Sequence, residues 1–552
     1  MKAAANDLLK MGTLGLLPAC LLLPSWSSAA LGALIIFIVF LELTWPLPLG
    51  KDTPRPSGLP YFEQVFFLLK HSLRLPDACV EKMHEYGGRT WAIRLPRIGL
   101  VGGACVVVTN PKTLKHVLKD NFGNYVKGDA LQTCMAELFG NGIFATDGLN
   151  WTLHRKVAHT MFSLRLLKES THVAARMTQR MITHLKTVEG PVDMQMHYFR
   201  LTMDIFGYIA FGIDLNSVAL EREHEFTAAF DEVQRCCEKR MYNPLWLLCK
   251  WLQLTAEERA ITRGTKVVNS FAAEVIASRR RTAADGGQLG PDLLSRFLDD
   301  AQKKEMAEEE AAAVAESGEG PAKVEARLGG SDTELRDVVL NFIIAGRDTT
   351  ACALSWTLYE LARAPEVRAK MRAEFRAAFA EELAADAAAG GSGCGALEAA
   401  WTYENVAKLR YAHAVSLEVL RLHPSVAKDI KWAVADDRLP DGTFVPAGAA
   451  LIYCPYQMNR DAARWEEPLR FRPERFLGDG GVSAEPGTFE YPVFNAGPRL
   501  CPGKPLALME TKLVTAMLLH NFDFELAVPH EGGYLSTVVL PMSPGIKVQL
   551  YR

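Results

Sequence analysis

The chain has 552 residues, of which 49% are hydrophobic and 23% charged, with a formal net charge of -3. That length suffices for a large core and, as a bare prior, for about three or four domains. The near-neutral balance excludes a nucleic-acid footprint, and eleven cysteines with no C-x-x-C spacing exclude a disulfide framework or zinc site, leaving a reducing, cytosol-facing catalytic domain.

In chain order, the first feature is apolar. From Met11 to Gly50 the one acidic or basic residue is Glu42, and LGALIIFIVFL (Leu31 to Leu41) is its cleanest hydrocarbon-compatible run. Spanning a bilayer takes roughly 20 apolar residues, so residues 1–49 read as a membrane anchor with its span near 26–47; a hairpin of two short passes also fits. A cleaved signal peptide fits less well, because the run is long and lacks a persuasive small-residue cleavage site. Residues 50–60 then form a neck, with Pro54, Pro56 and Pro60 following Pro46 and Pro48. Prolines at this density disfavour a helix and suit a stiff spacer.

Residues 61–552 read as one catalytic domain in which short β-like runs such as VVVTN alternate with long helical ones. In GIFATDGLNWTLHRK, Trp151 and Arg155 stand four apart, on one face of an expected helix. Two segments, 303–330 and 383–400, are rich in Ala, Glu and Gly and poor in large apolar residues. Such segments bury too little surface to offset their ordering entropy and read as flexible insertions remote from the chemistry.

Ser331 to Glu334 is a capping box that opens a helix running to Pro365. About 33 residues at 1.5 Å rise give roughly 50 Å, enough to cross the domain. Leu335, Val338, Val339, Phe342 and Ile343 recur at helical spacing, which places this helix in the core. Its middle, Ala345-Gly346-Arg347-Asp348-Thr349-Thr350, breaks the pattern. Glycine there costs about 1 kcal/mol relative to alanine, and Asp and Thr compete for backbone hydrogen bonds. Accepting those costs in a core helix points to function.

Glu418 and Arg421 share a helix face, and His423-Pro424 ends that helix. LPDGTFVPAGAALIY comes next, with Asp441-Gly442 as a hairpin turn, and then Pro473-Glu474-Arg475-Phe476. Last comes Phe494-Asn-Ala-Gly497-Pro-Arg499-Leu-Cys501-Pro502-Gly503. A lone cysteine in a Gly/Pro-rich loop is ordinarily a small buried hydrophobe, but a thiolate can also bind metal, and glycines let backbone approach a flat cofactor. An arginine beside it can pair with a carboxylate.

The pattern F-x-x-G-x-R-x-C-x-G resembles the haem-binding loop of the cytochrome P-450 superfamily, the haem-thiolate monooxygenases. A-G-x-D-T-T, W-x-x-x-R, E-x-x-R and P-E-R-F resemble further motifs of that family, in its order. The resemblance implies a mainly α fold with a small β-rich lobe and haem b (iron protoporphyrin IX) as cofactor. It makes Cys501 the iron ligand, places Trp151, Arg155, Arg499, Phe494 and Gly503 around the haem, and makes Glu418, Arg421 and Arg475 a structural triad. It gives Thr349 the bound oxygen and an ordered water to hold, and Asp348 the relay of protons from solvent. GIFATDGLNW and A-G-R-D-T-T are most similar to the plant fatty-acid ω-hydroxylase branch, the latter also to fungal alkane hydroxylases.

The reaction this resemblance implies is hydroxylation of a long-chain lipid, most simply a fatty acid at or near its ω end. The same chemistry on a terpenoid, sterol or carotenoid is the alternative, because ALMETKLVTAMLLHNFDFEL resembles plant carotenoid hydroxylases. A haem-thiolate isomerase or dehydratase, or a haem sensor, is a further rival, disfavoured by the Asp348-Thr349 pair. No Walker loop and no G-x-G-x-x-G between strand and helix is present. Electrons are therefore expected from a separate NADPH-dependent cytochrome P-450 reductase, with Lys504 and Lys512 as docking charges. The expected setting is the endoplasmic reticulum membrane, or alternatively the plastid envelope, with bilayer, lipophilic substrate and O2 as partners and no nucleic acid. Two departures stand out. Pro502 lacks the backbone N–H that the family commonly offers the thiolate, and Trp432 replaces a histidine that faces the haem.

Overall fold

The computed structural model describes residues 48–57, 64–97, 103–219, 224–284, 292–299, 331–388, 399–478 and 484–552. The anchor up to residue 47, the insertion at 303–330 and most of the second insertion lie outside them. The helices that build the site are α1 (Val65–His71), α2 (Gly148–His159), α3 (Leu164–Leu185), α4 (Met194–Phe211), α5 (Glu225–Arg240) and α6 (Trp246–Leu252). They continue with α7 (Ala256–Ala284), α8 (Asp332–Ile343), α9 (Thr349–Arg363), α10 (Arg410–Leu422) and α11 (Lys504–Asn521).

The Ser331 hydroxyl accepts from the Glu334 N–H at 3.2 Å, so α8 starts at the expected cap. A π-helical turn, Ile344–Asp348, joins α8 to α9, giving a 32-residue rod from Asp332 to Arg363. The rod packs against α4, α10 and α11 along its second half and against α7 along its first. Its apolarity would suit a bilayer, but 83% of its most apolar window is buried inside the protein. It is the core helix.

Strands β1 (Trp91–Leu95), β2 (Gly103–Val108) and β3 (Tyr125–Val126) precede the helical bulk, and β4 (Val192–Asp193) follows α3. After α10 come β5 (Asp429–Ala433), β6 (Asp437–Arg438), β7 (Phe444–Val445) and β8 (Ala450–Tyr453), then β9 (Asp523–Leu526) and β10 (Lys547–Tyr551). The main sheet runs β1-β2-β8-β5-β3, with β2 and β8 parallel and the other neighbours antiparallel. β6 and β7 form the expected hairpin around Gly442, whose φ of 84° needs a residue without Cβ. The fold is thus mostly helical with a small β-rich region. The second low-complexity segment is in part ordered, since a helix, Ala380–Ala388, enters it.

Candidate functional site

The cysteine loop is held from both ends. Two 3-10 turns, Pro492–Phe494 and Gly497–Arg499, lead into it, and the Cys501 N–H donates to the Phe494 carbonyl at 2.8 Å. Gly497 has φ of 64°, and a Cβ on it would run into the Leu118 carbonyl, so only glycine fits this approach. The Cys501 sulfur receives the backbone N–H groups of Gly503 and Lys504 at the entrance to α11. Burial pushes its thiol up, while those two N–H groups and Arg155 act the other way. The donor that Pro502 withholds is thus supplied one and two residues later. Pro505, not Pro502, is the proline in the first turn of α11.

Behind the loop, the three charges of Glu418, Arg421 and Arg475 meet. Glu418 takes Arg421 Nε at 2.7 Å and Arg475 Nε at 3.0 Å, with Glu418 and Arg421 fully buried. Arg421 Nη1 also donates to the carbonyls of Asn459 and Pro468, each at 2.7 Å. Lys512 does not offer a surface charge. It is buried, donates to the Val406 carbonyl at 3.0 Å, and burial brings its pKa down to about 8. Lys504 is paired with Glu485.

An apolar cavity of about 360 Å3 opens above the sulfur. Trp151, Arg155, Phe494, Arg499, Cys501 and Gly503 all line it, so the structure brings these sequence-predicted residues together. Arg499 lies 4.8 Å from the Trp151 ring and donates to the Thr146 carbonyl and Asp147, each at 2.7 Å. Arg155 donates to the Leu500 carbonyl and fixes α2 to the loop.

Two cations in this corner escaped the sequence reading. Lys127 pairs with Asp429, which also accepts from Tyr453 at 2.7 Å. Lys431 is fully buried, its Nζ is 3.9 Å from Asp429, and it makes no hydrogen bond among the described residues. Burial, then Lys127, holds its pKa well below the ordinary lysine value, and Arg499 adds to the effect. Trp432 is half-buried and, by strand alternation, points to the other sheet face. Lys431, two residues along β5 from Asp429 and on the same face, is therefore the cation that this strand brings to the corner. With Lys431 protonated, Lys127, Arg155, Lys431 and Arg499 stand against Asp147 and Asp429 with a surplus of two positive charges. That surplus suits a ligand bearing two carboxylates.

The opposite wall is the π turn, a distortion that favours functional positions. Gly346 is required because the Phe206 ring of α4 lies where its Cβ would be. Thr202, also on α4, donates to the Arg347 carbonyl at 2.9 Å and satisfies a backbone acceptor. Ala345, Gly346, Thr349 and Thr350 line the cavity, and Thr349 Oγ1 donates to the Ala345 carbonyl at 2.6 Å.

Asp348 stands behind that wall. Its carboxylate accepts Arg347 Nη1 at 2.9 Å and Gln234 Nε2 at 3.0 Å. Arg347, 1% exposed, grips Asp231 of α5 with two bonds of 2.6 and 3.0 Å, and Asp231 is 45% exposed. Burial pushes Asp348 up to about 7; Arg347 opposes the shift and Asp231 adds to it. Neither Asp231 nor Gln234 carries a motif that could have marked it. Glu510 on α11, beside Thr350 and lining the cavity, is a second buried acid, pushed up by burial to about 8. Among the described residues no three His, Cys, Asp or Glu side chains gather to hold a metal ion.

Comparison with known proteins agrees with this geometry. Residues 54–532 match the family described as Cytochrome P450. Cytochrome P450 704B1 of Arabidopsis thaliana is 32% identical over 535 residues, covering 91% of this chain and 95% of the relative. Cytochrome P450 704C1 of Pinus taeda is 31% identical over 514 residues, with 90% and 93% covered. Cytochrome P450 CYP94D109 of Paris polyphylla is 31% identical over 465 residues, with 81% and 85% covered.

Proposed function

The chain belongs to the cytochrome P450 family of haem-thiolate monooxygenases, and we propose that it hydroxylates a long-chain fatty acid at or near its ω end, with electrons from a separate NADPH-dependent reductase. When bound, the haem iron uses dioxygen, two electrons and two protons to convert R–H to R–OH and water. The observation that carries this reading is an apolar cavity floored by Cys501 and roofed by Thr349.

Cys501 would supply the iron's thiolate, with the Gly503 and Lys504 N–H groups directed at its sulfur. Lys127, Arg155, Arg499 and Lys431 would receive the two haem propionates, whose negative charge would favour the protonated form of Lys431, and Trp151 packs on Arg499. Thr349 lines the cavity, and its hydroxyl would turn from the Ala345 carbonyl to donate a hydrogen bond or pass a proton into it. Asp348, its pKa pushed up to about 7, can take up and release a proton at neutral pH and would relay it toward Thr349. Asp231, joined to it through Arg347, tunes that pKa from the exposed side. The apolar lining, with Leu68, Leu75, Ile93, Leu95 and Phe206, excludes water and fits a hydrocarbon chain.

A bilayer setting is supported by exposed apolar side chains beside the cavity. On and after α1, Phe66, Leu69 and Leu73 are exposed while Leu68 and Leu75 line the cavity. At α6 and its flanks, Leu245, Leu247, Trp251 and Leu254 are exposed just beyond the cavity-lining Met241 and Tyr242. Such clusters suit insertion into the lipid interface, next to where a lipid substrate enters.

The test is a reduced carbon-monoxide difference spectrum of the purified protein and of Cys501→Ala, repeated with long-chain fatty acids. The expected result is a red-shifted thiolate Soret band that the variant loses, with a spin-state shift on adding fatty acid. A thiolate band that no fatty acid perturbs would overturn the substrate reading.

A further inference from the structure

Far from the cysteine loop in sequence, a second polar cluster interrupts the apolar cavity wall. Glu238 near the end of α5, Tyr242 just after it, Lys428 before β5 and Thr537 all line the cavity. Lys428 Nζ donates to Glu238 Oε1 at 2.8 Å, and the two side chains are 13% and 6% exposed. Around this bond the contacts are long. Tyr242 OH donates to Glu238 at 3.3 Å, and Lys428 reaches Ser536 Oγ at 3.3 Å and the Thr537 carbonyl at 3.4 Å.

An ion pair in apolar surroundings contributes little to stability, and well-packed apolar residues of similar volume serve a core as well or better. Its place in a lipid-binding wall is better explained by what it can recognise. An ammonium has three donors, and here one is well used while the others make stretched contacts. Burial works against the charge on Lys428, but Glu238 and Tyr242 outweigh it and leave its pKa above the ordinary lysine value. Lys428 is therefore held protonated beside the Glu238 carboxyl. A second carboxylate would meet Glu238 as a like charge, whereas a neutral hydroxyl can accept from Lys428 and donate to Glu238 at once.

We propose that Lys428, Glu238 and Tyr242 form a recognition site for a hydroxyl group carried by the lipid substrate. This rests on the lipid-hydroxylase reading and narrows its substrate class to lipids already oxygenated. An earlier hydroxylation or hydration step must then supply the substrate, and the product is a lipid with at least two oxygenated carbons besides any carboxyl group.

The experiment is a spin-state titration of the haem-loaded protein with hexadecanoic acid and a series of hydroxyhexadecanoic acids differing in hydroxyl position. It is run on the natural protein, on Lys428→Met and on the paired variant Lys428→Met/Glu238→Met, which leaves no buried charge unpartnered. On the natural protein at least one hydroxy acid is expected to bind about tenfold or more tighter than the plain acid. The paired variant is expected to bring the two to equal affinity. Equal affinities on the natural protein, or a preference that survives in the paired variant, would overturn the site while leaving the lipid reading standing. Plain-acid binding that collapses in Lys428→Met would show instead that the pair holds the carboxyl end, and would also overturn it. If no acid of either kind shifts the spectrum, the lipid reading itself falls, and this site with it.

Discussion

The two faces of the cavity are built on opposite principles. Behind the cysteine loop the charges of the Glu418 triad are committed: Glu418 is shared between two arginines, and Arg421 spends further donors on the carbonyls of Asn459 and Pro468. On the opposite side the charges are poised. Asp348 is buried with a pKa of about 7, and its chain of contacts ends on Asp231, which solvent reaches. One face holds a sulfur still, and the other holds a buried acid whose pKa lies at about 7. The same residue types serve both, and the difference lies in their balance: Glu418 is shared between two arginines, whereas Asp348 is a buried acid with one arginine set between it and a second aspartate.

Breaking the rigid face should have the largest effect. Glu418→Ala leaves Arg421 buried without its carboxylate, a loss of about 3–5 kcal/mol. The expected outcome is protein that fails to retain haem, read from the Soret-to-protein absorbance ratio and the melting temperature. At the poised face, Asp348→Asn should retain haem and the thiolate band yet lower product formation about a hundredfold. The sharpest readout is product formed per NADPH consumed, which should fall further than NADPH consumption itself.

A subtler change should move a pH profile without abolishing it. Asp231 raises the Asp348 pKa, so Asp231→Asn should lower it. If the acid form of Asp348 passes the proton, turnover falls as pH rises through its pKa, and in Asp231→Asn that fall comes at lower pH. A profile that scales down with no displacement would assign Asp231 a structural role alone. Stability carries the same sign: folded Asp348 keeps its proton up to about pH 7, whereas the unfolded carboxyl releases it near 3.9. Stability should therefore decline between those values, with a shallower decline in Asp348→Asn, as urea midpoints across pH would show. The smallest effect is expected at the surface. Trp251→Ser, at a side chain 79% exposed, should weaken partitioning to liposomes severalfold and leave the carbon-monoxide band in place.

Legibility in the sequence followed the span of each contact. The Ser331 cap, the Glu418–Arg421 pair and the cysteine loop are set within a few residues, and local spacing reveals them. Asp231 lies 116 positions from Arg347, and Glu238 lies 190 from Lys428. Only the packing of α5 over the rod and beside β5 creates those partnerships, and no local pattern records it. Lys431 was hidden differently: it adjoins the larger and more conspicuous Trp432, and only strand alternation tells which of the two faces the charged corner. Lys512 shows the converse error, a cation assumed to be at the surface because most are.

The contact between Phe206 and Gly346 also limits the paths by which such a sequence can change. The ring occupies the space of any side chain at 346 and at the same time forms part of the cavity wall. Enlarging position 346 first drives two groups into one volume, whereas shrinking position 206 first opens a void that a methyl group can later fill. The two sites are thus historically ordered. A lineage that broadens the cavity by trimming the ring gains freedom at the glycine, and once that freedom is used the ring cannot return.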